Sequence, residues 1–511
     1  MIAIVYHKNA GENFLKAVCA FKNRLEKITG AQITLGDDST LADAPYIICV
    51  GETGDPLTQD AKEMLSAEEK ENVCAIKFSG NKLAVLGKSE AFTTRAMKYF
   101  AVNFDSIYAE KEADSLLFEV SSDTFIFNEN LVELEIGEPS TVYAPEEKRS
   151  ANQYPKAVLL QNQPEEENNG TIIATLNSSE WFYHILESRD DGESWTELAQ
   201  VYDTVNTGVR GGRMPCLFEL PADLGRFKRG TIILAGTSSA HNDMPEKTAI
   251  VIYYSEDVGK TWKAHMSIDF ARGHIDGDGV WEPFLIYEEK TKRLYCFYSD
   301  DSDPEHDQKL VFKYTSDLET WIGKDGSAPE DDPFEAVALD DPVLRPGMIA
   351  ISEMNNGEYH MVYEIVKIRK INTLSPIYYR KTKNLDDWGD ITDLGKPVEL
   401  SDTTTFGTSP WSAWTPLGGE CGMLFVTARH RDNFGTDRSA PDIFVSFDYG
   451  ESYVSLPNPV SYQFNNTCRC GYSPMLMFSP DGKTLYYFNN PLSESESSRE
   501  KIVMIRIKII E

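Results

Sequence analysis

No run of about 18 apolar residues occurs anywhere in this 511-residue chain, so the sequence predicts no membrane-spanning helix. Basic residues are scarce beside acidic ones, 49 Lys and Arg against 81 Asp and Glu, for a formal net charge of −32. That balance speaks against nucleic acid, because phosphate neutralisation needs clustered cations. It speaks equally against anionic membrane surfaces and makes a polyanionic substrate a poor match. Cysteine is sparse. The eight, at 19, 49, 74, 216, 296, 421, 468 and 470, are scattered, and most sit in apolar runs as small buried hydrophobes of a reducing compartment. Cys468 and Cys470 form CRC, but no second Cys/His pair stands at zinc spacing, so no metal or cofactor is expected. The opening MIAIVYHKNAG lacks a basic flank and a small-residue cleavage site. It reads as a first strand, and a cytoplasmic location is the expectation.

Aromatics are plentiful, with 24 Tyr and 25 Phe, which leans towards β structure. Residues 1–120 nevertheless alternate strand and helix patterns: IAIVY and YIICVG are short strands, and GENFLKAVCAFKNRLEKITG is an amphipathic helix closed by a glycine. SEAFTTRAMKYFAVNF is a further helix, and VCAIKFSGNKLAVLG reads as a hairpin turning at Gly80-Asn81. This predicts a small α/β domain over 1–120 with no glycine-rich phosphate loop, followed by a linker over 121–130.

From residue 131 a repeat takes over. SRDDGESW (188–195) returns as SEDVGKTW (255–262) and SFDYGESY (446–453), with shortened copies TSDLETW (315–321) and TKNLDDW (382–388). In this pattern the Asp closes a hairpin turn on backbone N–H groups, Gly supplies a positive φ and Trp packs between sheets. Its role is structural. A second repeat joins X-Pro to a short apolar strand, with prolines 155, 215, 283, 346, 410 and 474 spaced by 60, 68, 63, 64 and 64 residues. Six copies of a four-stranded unit predict an all-β six-bladed propeller over 131–511, which closes radially and so suppresses exposed sheet edges. The sixth copy lacks its own last strand, and LVELEIGE (131–138) is the expected donor.

Inner strands of a propeller line its axis, so the residue before each repeat proline is expected to face a central pocket. The six readings are Tyr154, Met214 (with Arg213 beside it), Glu282, Arg345, Ser409 and Ser473 (with Tyr472 beside it). The following strands end in Asp300 and Asp301, Glu364, Arg429 and His430, and Asn489 and Asn490. Glu282 and Glu364 are the pair that glycoside hydrolysis needs, one carboxyl protonating the leaving oxygen and one attacking or activating water. Arg213, Asp300, Arg345, Trp411, Arg429 and His430 are the candidate substrate contacts.

The first repeat resembles the Asp-box of sialidases and other BNR-repeat proteins. GVWEPFLIYEE (279–289), LYCFYSDD, HDQKLVFKYTSD, RPGMIAI and NGEYHMVYE together resemble the signature of family 93 glycoside hydrolases, the exo-α-1,5-L-arabinanases. The resemblance implies a six-bladed propeller and a retaining mechanism with two glutamates, carried over to Glu282 and Glu364, and a last-blade tyrosine carried over to Tyr472. Two departures stand out: RPGM replaces the Arg-Asp-Gly-Met of that family, and the α/β domain resembles accessory domains of other glycoside hydrolases that typical members lack. The expected activity is exo-hydrolysis of a neutral, arabinan-type oligosaccharide, with Glu282 as nucleophile and Glu364 as general acid/base. Two alternatives stay open. One is a sialidase using Tyr472 with Glu364 and the arginines 213, 345 and 429, although the arginine slot of the first sialidase blade holds Tyr154. The other is a non-catalytic carbohydrate-binding propeller. The oligomeric state is not legible.

Overall fold

The computed structural model describes the chain except residues 1, 41–43, 70–72, 103, 105–114, 120–123, 128–131, 146–152, 178–179, 207–208, 241–247, 272–278, 367–375, 401–404, 433–437, 440–442, 457–458, 461–470, 492–500 and 511. Cys468 and Cys470 therefore lie outside the described residues. What is described separates into two compact units, Met1–Ile136 with Lys508–Glu511, and Gly137–Ile507.

The first unit is a six-stranded sheet. Ile33–Asp37, Ile2–Tyr6, Tyr46–Val50 and Lys82–Gly87 run parallel, and Val73–Ser79 and Ser115–Glu119 extend the sheet antiparallel. Helix Glu12–Thr29 stops at Gly30, whose φ of 67° lets its N–H turn back to the Glu26 carbonyl. Val73–Ser79 turns into Lys82–Gly87 through Gly80-Asn81, with Ser79 opposite Lys82. A helix that the periodicity reading passes over, Pro56–Ser66, starts on Asp55, whose side chain accepts the Leu57 N–H. Within the stretch read as a linker, Thr124–Phe127 is a strand that pairs with Val132–Ile136.

The second unit is the six-bladed propeller. Its inner strands are Gln153–Leu159, Val209–Glu219, Val280–Glu288, Arg345–Glu353, Trp411–Thr415 and Met475–Phe478, each opening a blade whose strands follow in chain order. The last blade is closed by Ser140–Tyr143, which pairs with Ile502–Met504 of the strand Ile502–Ile510. The expected donor, 131–138, also contributes a strand to this sheet. Its strand, Val132–Ile136, groups with the first unit and follows Ile502–Ile510 in the sheet order.

Apolar side chains alternate across each strand and fill the spaces between blades. Ile233, Ala235, Ile250 and Ile252 of the second blade meet Leu285, Leu294, Cys296 and Tyr298 of the third, all buried. Each large side chain buried this way contributes roughly 1.5–3 kcal/mol. At the outer turns the serine–aspartate repeats form one network three times. Ser188 Oγ accepts the Gly192 N–H at 2.8 Å while Asp190 accepts the Ser194 N–H at 2.9 Å. Ser255 with Asp257, and Ser446 with Asp448, repeat it. These aspartates are spent on turns, well away in sequence from the inner strands that line the axis.

Candidate active site

The site begins with a backbone irregularity repeated blade by blade. In the first four inner strands the ladder breaks over two residues: Gln153 faces Asn177 but Lys156 faces Thr175, Arg213 faces Thr237 but Cys216 faces Ala235, Trp281 faces Ser299 but Phe284 faces Phe297, and Gly347 faces Glu364 but Ala350 faces Val362. Two residues oppose one, a β-bulge, which re-aims side chains and marks functional rims. The first bulge residue is left-handed: Tyr154 φ 55°, Met214 φ 47°, Glu282 φ 63° and Met348 φ 54°. Ser409 (φ 60°) and Ser473 (φ 56°) hold the same place ahead of the fifth and sixth inner strands. A non-glycine residue in this region costs about 1–2 kcal/mol, so six of them require a surrounding fold that holds them there.

In the first three bulges the second residue is proline, which has no N–H to leave unpaired, and Pro410 and Pro474 likewise follow Ser409 and Ser473. The fourth differs. Its bulge is Met348-Ile349, so Met348, not Arg345 before Pro346, is the equivalent of Glu282. The proline count therefore misplaces that blade. Tyr154, Met214, Glu282, Met348 and Ser473 line one axial cavity, together with Lys156 and Trp411.

Glu282 is engaged at both oxygens. Tyr154 Oη donates to Oε1 at 3.0 Å; Ser299 Oγ donates to Oε2 at 3.0 Å and the Met348 N–H at 3.1 Å. Burial, then the charge of Glu364, pushes its carboxyl up to about 7, while the three donors pull the other way. Glu364, on the strand Tyr359–Val366, lies opposite Gly347, the neighbour of that Met348. Its Oε2 accepts Thr408 Oγ1 at 2.5 Å and the Ser409 N–H at 2.8 Å. Among the described residues its Oε1 receives no hydrogen bond. Burial raises its pKa, against Thr408, Ser409 and the positive charges of Arg345 and Arg429. Two buried carboxyls thus interact on the axis, one held by donors at both oxygens and one with an oxygen free to carry a proton.

Around them, Arg345 Nη2 bonds to Asp301 Oδ2 at 3.0 Å, and Arg345 also donates to Gln308 Oε1 from Nη2 at 2.7 Å and from Nε at 3.1 Å. Asp301 accepts the Trp281 indole N–H at 2.8 Å. Gln308 Nε2 reaches the Pro346 carbonyl at 2.8 Å, a path that a Cβ on Gly347 would block, since it would fall 2.4 Å from that nitrogen. Asp301 therefore takes the place expected of Asp300. Successive strand residues point to opposite faces, and Asp300 turns away, 2% exposed, accepting Ser302 N–H at 3.0 Å and Ser302 Oγ at 2.6 Å.

Trp411 is also not the open platform its type suggests. It is buried, its indole N–H donates to the Leu476 carbonyl at 2.9 Å, and Lys156 Nζ lies 4.4 Å from its ring centroid. Tyr472 packs edge-on to Tyr154 at 5.2 Å, and the Arg429 guanidinium lies over its ring, also at 5.2 Å. Arg213 is exposed on the second inner strand, and its carbonyl accepts Tyr183 Oη at 2.9 Å. His430 pairs with Gly407 in a separate three-stranded sheet. Tyr154, Ser299, Gln308, Thr408 and Ser409 stand outside the catalytic and substrate contacts expected from sequence, although Tyr154 and Ser409 precede repeat prolines and Gln308 stands in the D-Q of the family signature.

No family model and no curated protein matches the chain. Among solved structures, the α-L-arabinanase of Penicillium chrysogenum complexed with arabinobiose is similar over 74% of this chain and 98% of that one, at 26% identity and a TM-score of 0.59. The GH93 α-L-arabinofuranosidase of Fusarium graminearum, also with arabinobiose, is similar over 73% of this chain and 97% of that one, at 24% identity and a TM-score of 0.58. The chain shares their propeller fold.

Proposed function

We propose that the chain is an exo-acting, retaining glycoside hydrolase for a neutral arabinan-type oligosaccharide. Glu282 is the nucleophile and Glu364 the general acid/base. The observation that carries this is the unequal treatment of two interacting buried carboxyls. Glu282 receives three donors across both oxygens, which orients an ionised carboxylate. Among the described residues Glu364 is held through Oε2 alone, so Oε1 can deliver a proton to a leaving oxygen. In the first step a Glu282 oxygen bonds to the anomeric carbon as the glycosidic C–O bond breaks, and Glu364 protonates the departing alcohol. In the second, Glu364 takes a proton from water, the water oxygen bonds to the anomeric carbon, and Glu282 leaves as carboxylate.

Charge favours a neutral sugar. Arg345 is occupied by Asp301 and Gln308, whereas a sialidase needs its arginines open to a substrate carboxylate. The net charge of −32 also slows the approach of an anionic glycan. The arabinobiose bound by both similar structures points to the same class. Neither the sialidase nor the non-catalytic alternative is favoured. The test is a panel of arabino-oligosaccharides beside a sialoside at equal concentration. Release of arabinose alone, abolished by E282Q and by E364Q, is the expected result; cleavage of the sialoside alone would reverse the assignment.

A further inference from the structure

Lys156 immediately follows the first bulge and is 5% exposed. Its Nζ donates to Ser473 Oγ at 2.9 Å, to the Ser473 carbonyl at 3.2 Å and to the Pro155 carbonyl at 3.2 Å. Among the described residues, no carboxylate lies within ion-pair distance of it. A buried ammonium held, among the described residues, by neutral oxygens and the ring faces of Trp411 and Tyr154 is costly. A methionine would fill the same space without that cost, so packing does not explain the lysine.

Its neighbours explain it better. Ser473 is the left-handed residue before the sixth inner strand, and Tyr472 beside it accepts the Tyr154 N–H on its carbonyl at 3.3 Å. The rings of Tyr472 and Tyr154 pack edge to face, and Tyr154 Oη carries the bond to Glu282. Lys156 therefore fastens the sixth blade to the first directly behind the hydroxyl that orients Glu282. We propose that Lys156 is a positioning residue of this site: it pins Tyr472-Ser473 on the axis and supplies a positive charge that faces Glu282. This rests on the glycosidase reading for its effect on turnover, but not for its effect on Glu282 itself.

The groups facing Lys156 are Tyr154 on its own strand, Cys216 from the second blade, Glu282 from the third, Trp411 from the fifth, and Tyr472 and Ser473 from the sixth. Beyond Glu282 lie Glu364 and the arginines that act on it, Arg345 and Arg429. Burial lowers Lys156 to about 7, against the charges of Cys216 and Glu282, which favour the ammonium. Its charge therefore fades as the pH rises through neutrality, over the range in which Glu282 ionises.

The experiment compares wild type, K156M and K156R. In K156M the loss of the positive charge favours protonated Glu282, so the acidic limb of the kcat/KM profile moves up by about one pH unit. The loosened Tyr154 lowers kcat about tenfold with KM within about twofold. K156R keeps a charge that does not titrate and restores the wild-type limb. A readout independent of turnover is the infrared carboxylic-acid band that E282Q removes, whose midpoint rises in K156M and not in K156R. If K156M does not fold, K156R must still show that midpoint at or below the wild-type value. Equal midpoints in wild type and K156M, or a K156R midpoint above wild type, overturn the proposal. A wild-type chain that cleaves no arabino-oligosaccharide overturns only the glycosidase reading, and the infrared titration then decides on Lys156.

Discussion

Tyr154 Oη donates to Glu282 Oε1 at 3.0 Å, although the two residues stand 128 positions apart in different blades. Both are the left-handed first residue of a bulge, so the bond depends on two strained backbones aiming at one point. Removing the hydroxyl in Y154F leaves Glu282, among the described residues, two donors on Oε2 and none on Oε1. Loss of a hydrogen bond to a charged group costs about 1.5–3 kcal/mol, so kcat should fall roughly 10- to 100-fold. KM and melting temperature should change little. Steady-state kinetics beside a thermal melt check this, and an unchanged kcat contradicts it.

The raised pKa of Glu282, about 7, predicts a pH dependence of stability as well as of rate. A carboxyl that titrates higher when folded binds more protons in the native state between its unfolded value, about 4.3, and about 7. Its contribution is fully present below the unfolded value and is lost as the pH rises through 7. E282Q removes this dependence. The variant should therefore gain on wild type in melting temperature from pH 5 to pH 8, while losing activity at every pH. A difference that stays flat or falls with pH contradicts the assigned burial of charge.

The serine–aspartate turns should separate cleanly from the chemistry. Ser255 is 1% exposed, accepts the Gly259 N–H and donates to Asp257. S255A leaves that buried N–H unsatisfied, which costs about 1–3 kcal/mol. Denaturant melts should show the loss, and kcat and KM measured well below the transition should be unchanged. A fall in kcat without a fall in stability would assign this turn to the site.

Arg345 supplies a test of substrate charge. R345M breaks the contacts to Asp301 and Gln308 and removes a cation that favours ionised Glu364. Turnover of arabino-oligosaccharide should drop at least about tenfold. No sialoside cleavage should exist in wild type for the variant to lose. Detectable sialoside cleavage that R345M abolishes would contradict the neutral-substrate reading.

What could be read from sequence follows how local each signal is. The left-handed residue before a proline is written in two adjacent positions, so Tyr154, Met214, Glu282, Ser409 and Ser473 were legible as one ring. The fourth blade was not, because its bulge at Met348-Ile349 is set by pairing with Tyr359–Val366, and Pro346 is only a nearby proline. Asp300 ends its strand and Asp301 follows it by one position, and alternation alone cannot say which of the two faces the pocket. The closing edge was legible only in part: 132–136 and 140–143 both read as strands, and that both adjoin Ile502–Ile510 is set by pairing across the chain, not by local sequence. Helix Pro56–Ser66, by contrast, carried its signals in Asp55 and Pro56.

The central claim is that Glu282 and Glu364 perform a double displacement on an arabinoside. The most direct measurement is proton NMR of the first sugar released from an α-1,5-arabino-oligosaccharide, followed before mutarotation. The account predicts α-arabinofuranose, the configuration of the substrate retained, with no signal from E282Q. Release of the β-anomer would mean that water attacks directly and that Glu282 is not the nucleophile.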